Sequence, residues 1–189
     1  MSTHAKTFLT PEQYLELEEQ AEYKSEYLGG EMFAMAGGTE AHSLIAMQIG
    51  RDFSLQTRQR PCRVYNSDMQ VHVCAIGLYT YPDLSVVCGE PRFLNERRRT
   101  LLSPTVIVEV LSPSTEAYDR GRKFEYYKTL ESLAEYLLVA SDRIHADLLT
   151  RQPDGRWILS SAEKANDAIE LTSIGCQLIL ADIYEKVEF

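Results

Sequence analysis

The sequence predicts a single α/β domain. Short apolar runs rich in β-branched residues alternate with segments in which apolar residues recur at helical spacing, a pattern typical of α/β proteins. The length of 189 residues suits one domain with a sizeable core, and no internal repeat or linker divides the chain. We therefore expect one domain over residues 1–189, with its core beginning at about residue 11.

The N-terminal part predicts a helix followed by a hairpin. Thr10 is suited to the N-cap position, Pro11 to the first helical position, and an acid follows in the first turn. Residues 27–35 place a Gly-Gly pair between apolar flanks, which predicts a hairpin turn. A second helix is predicted over residues 39–55, because its apolar residues recur at helical spacing.

Further elements follow from the same patterns. Residues 63–73 alternate between apolar and polar side chains, which predicts one long strand exposed on one side, and Gly77 predicts a turn after it. The basic segment 91–103 predicts a loop. Thr115 is suited to cap a helix running to about residue 130.

The C-terminal part predicts short strands separated by turns. Residues 136–140 and 144–150 read as two strands joined by a tight turn. The Pro-Asp-Gly sequence at 153–155 is a strong turn signal before a strand at 157–159. The tail, residues 169–189, predicts one or two short strands and a last helical turn.

Two of the predicted strands each carry a single carboxylate. Asp83 lies in residues 80–87, and Glu109 is the only charged residue of the run 106–111. Both runs have the composition of buried strands, where a charge is rare unless it is paired or bound to a metal. The spacing of 26 residues (109 − 83) leaves room for a loop and a return into a neighbouring strand. The two acids would then meet at a point where their oxygens suit Mg²⁺.

Each acid also has a simpler interpretation. Asp83 follows a proline and could be an ordinary acid of a turn or strand edge. Glu109 could form a structural buried ion pair with Lys123, in which case Glu109→Gln lowers stability with or without metal. Both interpretations stay open at this point.

Three other residues are candidates for the same site. Asp119 and Lys123 are four residues apart on a predicted helix and should share one face. They form either a surface ion pair or an arrangement in which Lys123 points at the acid pair and stabilises charge on a phosphate or orients water. Glu31 and His42 are further catalytic candidates, although both residue types are commonly found at solvated positions.

The composition limits the cellular location and the binding partners that we expect. The net charge of −9 argues against indiscriminate nucleic-acid binding. No apolar run is long enough to span a bilayer, and residues 1–6 lack the apolar stretch of a signal peptide, so a cytoplasmic location without a membrane partner is expected. The four cysteines form no C-x-x-C pair and are expected to be buried reduced thiols. Basic residues cluster around 51–63, 92–99 and 120–128. They form either solvated faces or a local positive rim beside the two acidic strands.

Several established sites are excluded by the absence of their motifs. The Ser-Pro-Ser-Thr sequence at 112–115 lacks the glycine pattern of a nucleophile elbow, which argues against serine hydrolase chemistry. Neither a P-loop nor a dinucleotide-binding glycine motif occurs.

A set of motifs from about residue 14 to the C-terminus resembles the Uma2 family, which looks like a branch of the PD-(D/E)xK restriction-endonuclease-like nucleases. The motifs are Tyr27-Leu28-Gly29-Gly30-Glu31, His42, Pro82-Asp83-Leu84-Ser85-Val86-Val87, Glu109-Val110-Leu111-Ser112-Pro113-Ser114-Thr115, and Asp119 with Lys123.

The resemblance implies a central mixed β-sheet flanked by helices and a Mg²⁺-dependent endonuclease acting on DNA. Asp83 and Glu109 would hold Mg²⁺, with Mn²⁺ as a substitute, to activate water. The nuclease motif places a lysine where this chain has Leu111, and in the family that lysine is displaced to the position of Lys123. By analogy a homodimer is expected. The alternative is an inactive nuclease-like fold that binds nucleic acid or a protein partner.

Overall fold

The computed structural model describes residues 8–189, so the segment 1–6, in which no signal peptide was predicted, lies outside the described residues. The helices are α1 (Pro11–Gln20), α2 (Glu40–Gln56), α3 (Glu116–Tyr118), α4 (Phe124–Tyr127) and α5 (Leu180–Ile183), with a π-helical segment (Asp119–Lys123) between α3 and α4. The strands are β1 (Ser25–Leu28), β2 (Glu31–Ala34), β3 (Cys62–Asn66), β4 (Gln70–Val73), β5 (Leu78–Thr80), β6 (Leu84–Cys88), β7 (Thr100–Leu101), β8 (Val106–Leu111), β9 (Glu135–Ala140), β10 (Ala146–Arg151), β11 (Trp157–Ala162), β12 (Ala168–Leu171) and β13 (Cys176–Ile179).

The predicted central mixed sheet is confirmed, with six strands in the order β11-β10-β9-β8-β6-β3. β8 and β9 run parallel, and the other neighbouring pairs are antiparallel. The parallel pair requires a crossover, which the helical segment from α3 to α4 provides. This crossover brings helical residues over one face of the sheet.

Both faces of this sheet are covered. The valines of β8 face a core that also contains α2, α5 and the two-stranded sheet of β12 and β13. Ile107 and Leu111 point to the opposite face, where they pack with Tyr127 of α4 and with residues of β4 and β5. Because side chains alternate along a strand, Glu109 shares this second face.

Several local signals act as predicted. Thr10 and Gln13 form a reciprocal capping box at the start of α1. Gly29 and Gly30 both have positive φ values, 60° and 93°, in the turn between β1 and β2. α2 begins after Thr39, whose side chain accepts a hydrogen bond from the backbone of His42.

The single strand predicted over residues 63–73 is wrong. The chain turns at Ser67 and Asp68, where the Asn66 side chain accepts the Asp68 N–H at 3.1 Å and the Asn66 carbonyl accepts the Met69 N–H at 3.1 Å. The turn separates β3 from β4, which belongs to a second sheet of five strands in the order β2-β1-β5-β4-β7. This second sheet was not predicted.

The helix predicted from Thr115 to about residue 130 differs in two respects. The side chain of Thr115 makes no capping hydrogen bond to the helix, and its Oγ1 instead accepts the Ser112 N–H at 3.4 Å. The middle of the helix is π-helical, and the two residues that it buries are Asp119 and Lys123. Such wide turns occur frequently at functional sites.

The expectation of four buried thiols is also wrong. Cys62 and Cys88 form a disulfide, with Cα atoms 4.0 Å apart, because the register of β3 and β6 places them directly opposite each other. Cys74 is free but exposed, whereas Cys176 is free and buried as predicted. The spacing of cysteines along the chain cannot reveal a strand register.

Among residues 8–189, no helix is long and apolar enough to cross a bilayer.

Glu135 attaches the C-terminal hairpin to the central sheet. Its fully buried carboxylate accepts hydrogen bonds from the backbone and hydroxyl groups of Thr172, at 2.9 and 3.2 Å, and from the same two groups of Ser173. The carboxylate itself is fully buried, so a substituted group at this position has to be satisfied by the same four donors.

We predict that Glu135→Gln lowers the free energy of unfolding by about 1–3 kcal/mol, because the amide replaces one buried acceptor by a donor that faces the donors of Thr172 or Ser173. Denaturant unfolding measures the change, with Glu131→Gln as a control at an exposed position. Equal stability of the two variants would contradict the role assigned to Glu135.

Candidate active site

Glu109 lies on β8 as predicted, whereas Asp83 lies in a bend just before the neighbouring strand β6 and not within a strand. β6 pairs with β8 in antiparallel register, with Leu84 opposite Val108. The next position in this register sets Asp83, which immediately precedes β6, opposite Glu109. The sequence therefore brings two carboxylates to one end of the β6–β8 pair.

Asp83 is held by a backbone group and by His42. The backbone N–H of Val110 donates to Asp83 Oδ2 at 2.7 Å, and His42 Nε2 lies 3.1 Å from the same oxygen. The hydrogen bond to Asp83 raises the pKa of His42, although burial opposes this effect. Gly38 leaves room for the imidazole, since a Cβ there would come within 2.6 Å of His42 Nδ1.

Glu109 is buried among polar partners. Lys123 Nζ lies 2.9 Å from its Oε1, and the hydroxyl of Tyr127 donates to the same oxygen at 2.9 Å. Burial raises the pKa of Glu109 to about 8, and the charges of Asp119 and Asp83 add to this rise while Lys123 opposes it. A positive charge in addition to that of Lys123 would therefore favour the ionised form of Glu109.

Lys123 contacts three carboxylates at once. Its Nζ lies 2.9 Å from Glu109, 3.2 Å from Glu26 and 3.5 Å from Asp119, and only 7% of its side chain is exposed. Burial alone would lower the pKa of Lys123, but the charges of these three acids hold it well above its usual value. Lys123 lies over the same face of the central sheet as Leu111. Its ammonium therefore approaches Glu109 from the helical segment and not from β8.

Glu26 is an acid of the site that was not selected from the sequence. It lies on β1 with 14% of its side chain exposed, in contact with Lys123 and with the hydroxyl of Thr80. No sequence signal identifies it, because its role depends on how the second sheet packs beside the π-helical segment. Glu31, the hairpin acid selected from the sequence, is half-buried at the start of β2 opposite Leu28.

The donor set fits a divalent cation through its charge and its oxygen chemistry. The carboxylates of Glu26, Glu109 and Asp119 surround the Lys123 ammonium. Asp83 contacts His42 and the backbone beside Glu109. Carboxylate oxygens are the ligands that Mg²⁺ prefers. Within residues 8–189, however, no three His, Cys, Asp or Glu side chains converge as a metal cluster. A cation at Asp83 and Glu109 would therefore complete its coordination with water or other oxygens.

Several residues of the basic clusters are paired with acids. Arg97 and Arg99 contact Glu19, and Arg120 contacts both Glu116 and Asp147. These pairs reduce the positive rim that the clusters suggested in the sequence.

Comparison with known proteins places these residues in a family. The Uma2 family profile, described as "Putative restriction endonuclease", matches residues 11–181. Two relatives come from Synechocystis sp. "Uncharacterized protein slr1290" is 40% identical over 183 residues, which covers 96% of this chain and 94% of the relative. "Uncharacterized protein sll1609" is 32% identical over 164 residues, which covers 87% and 93% respectively.

A solved structure shares the fold. It is described as a "putative nuclease belonging to DUF820" from Anabaena variabilis, with a TM-score of 0.77 and 17% sequence identity. The similarity covers 95% of this chain and 99% of that chain. The family match spans most of the chain, both relatives exceed 30% identity, and the architecture agrees; the chain therefore belongs to the Uma2 family and has a restriction-endonuclease-like fold.

Proposed function

We propose that this protein is a Mg²⁺-dependent nuclease that hydrolyses phosphodiester bonds of DNA. The observation that carries the proposal is the placement of Asp83 opposite Glu109 with the Lys123 ammonium 2.9 Å from Glu109. The description of the family and that of the structural neighbour support a nuclease. The choice of Mg²⁺ and of DNA rests on the oxygen ligands and on the analogy of the fold.

Asp83 and Glu109 would hold the cation. When bound, Mg²⁺ supplies positive charge that offsets the charge of the phosphate and makes a nearby water more acidic. His42 and the Val110 N–H fix the orientation of Asp83, so this carboxylate is preorganised. Mn²⁺ has similar ligand preferences and would substitute.

Lys123 would contribute a positive charge to the reaction through its ammonium. It stays protonated, and once a cation draws Glu109 away, the N–H that faced Glu109 would donate to a non-bridging phosphate oxygen or to the attacking water. Tyr127, one turn further along the same helical segment, donates to Glu109 and limits the rotation of that carboxylate.

The proposal includes a homodimer, because one site cuts one strand and two related sites cut a duplex. Sedimentation of the purified protein would measure the assembly.

We predict that Asp83→Asn abolishes both Mn²⁺ binding and DNA cleavage, because one of the two ligand charges is lost while the asparagine oxygen can still accept the Val110 N–H. Calorimetry and a plasmid-nicking assay measure the two effects. Asp182→Asn, at an exposed position, is the matched control. Retention of full cleavage by Asp83→Asn would disprove the assignment of this ligand.

Lys123→Met should separate binding from chemistry. We expect cleavage to fall by about 100- to 1,000-fold, as for the loss of a group that stabilises transition-state charge. Mn²⁺ should bind more tightly, because three carboxylates lose their shared counter-ion. Lys164→Met, an exposed substitution, serves as the control. Weaker Mn²⁺ binding would indicate that Lys123 is needed to build the metal site.

The raised pKa of Glu109 predicts a pH-dependent affinity for metal. A ligand carboxylate must be ionised, so each pH unit below a pKa of about 8 leaves about tenfold less of the competent form. The Mn²⁺ affinity should therefore rise between pH 6 and 8, with release of a proton. Calorimetry in buffers of different ionisation enthalpy counts that proton, and a constant affinity over this range would count against a neutral Glu109.

A further inference from the structure

We propose that Glu26 is the positioning residue of Lys123, and that it keeps the ammonium in place when Glu109 turns to a cation. The catalytic consequence rests on the proposed nuclease function, whereas the contact itself does not. The second sheet would thereby help to position Lys123, because Glu26 lies on β1 of that sheet.

The need for such a residue follows from the partners of Glu109. A single oxygen, Glu109 Oε1, accepts both the Lys123 ammonium and the Tyr127 hydroxyl, each at 2.9 Å. A cation at Glu109 would compete for that carboxylate and would repel the ammonium. Lys123 then needs another acid to remain buried beside the site.

Asp119 cannot meet this need alone. It lies on the same π-helical segment as Lys123, so it moves together with the lysine and does not fix the segment relative to the sheets. Glu26 comes from a different element and contacts Lys123 Nζ at 3.2 Å. It therefore links the helix to β1 directly.

Glu26 is itself supported. Its strand β1 is paired on both sides, with β2 and with β5. The buried hydroxyl of Thr80 on β5 donates to Glu26 Oε1 and lies 3.5 Å from the Tyr127 hydroxyl. Glu26, Thr80, Tyr127, Glu109 and Lys123 thus form a closed ring of polar contacts.

This ring offers a physical account of the lysine displacement. A lysine at position 111 would be fixed by the rigid backbone of β8. Lys123 extends towards the site from the helical segment, and the acid on β1 fixes its ammonium through a side-chain contact.

The experiment compares wild type, Glu26→Gln and the exposed control Glu22→Gln, each as the full chain. Acetylation of Lys123 by an amine-reactive ester is followed by peptide mass spectrometry, with and without Mn²⁺. We expect Lys123 to be protected in wild type and control under both conditions, and to react faster in Glu26→Gln, most of all with Mn²⁺ present.

Kinetics with a DNA duplex provide the second readout. For Glu26→Gln we expect kcat to fall by about 10- to 100-fold, as for other residues that orient a catalytic group, with KM and Mn²⁺ affinity unchanged. Lost Mn²⁺ affinity would overturn the proposal by making Glu26 a ligand. Equal acetylation of Lys123 in wild type and Glu26→Gln would overturn it too, whether or not the protein cleaves DNA.

If the protein is not a nuclease, the experiment gives a different set of results. Wild type would then leave DNA intact, while Glu26→Gln still exposes Lys123 to acetylation, which supports the positioning contact alone. If Glu26→Gln does not fold, Thr80→Val removes the hydroxyl that supports Glu26 and retains the carboxylate. Faster acetylation of Lys123 in Thr80→Val supports the proposal, and an unchanged rate contradicts it.

Discussion

The ammonium of Lys123 neutralises three carboxylates that come from three parts of the fold. Glu109 belongs to the six-stranded sheet, Glu26 to the five-stranded sheet and Asp119 to the π-helical segment between them. Removing a buried lysine would leave uncompensated acids, and removing an acid would weaken the link between two elements. This one charge therefore links both sheets and the crossover at the site.

The same interaction explains how a buried acidic site can exist before it binds a cation. Burial keeps the pKa of Glu109 high, and the lysine beside it partly compensates the negative charge. Asp83 is stabilised separately, by His42 and by the backbone of β8. The two ligand candidates thus have different environments: Asp83 is held by a preorganised backbone contact, and Glu109 is held by a side-chain ammonium. Asp83 would therefore be ready to bind a cation, while Glu109 would exchange its contact with Lys123 for one with the cation.

Composition and local motifs predicted much of this architecture. The isolated acids in apolar runs indicated Asp83 and Glu109, and a spacing of four residues indicated the contact between Asp119 and Lys123. The second sheet was missed because the break after β3 depends on an Asn66 turn inside an alternating pattern. Glu26 and the disulfide were missed for a related reason, since both depend on which strands lie side by side. Local sequence reports the face of a strand, not its neighbours.

The most direct test of the account is an anomalous diffraction map of crystals soaked in Mn²⁺. The account predicts one peak within coordination distance of both Asp83 and Glu109, with Lys123 still in contact with Glu26. A peak that lies away from this carboxylate pair, or fully occupied Mn²⁺ sites only on the surface, would contradict the claim that the two acids form a metal centre.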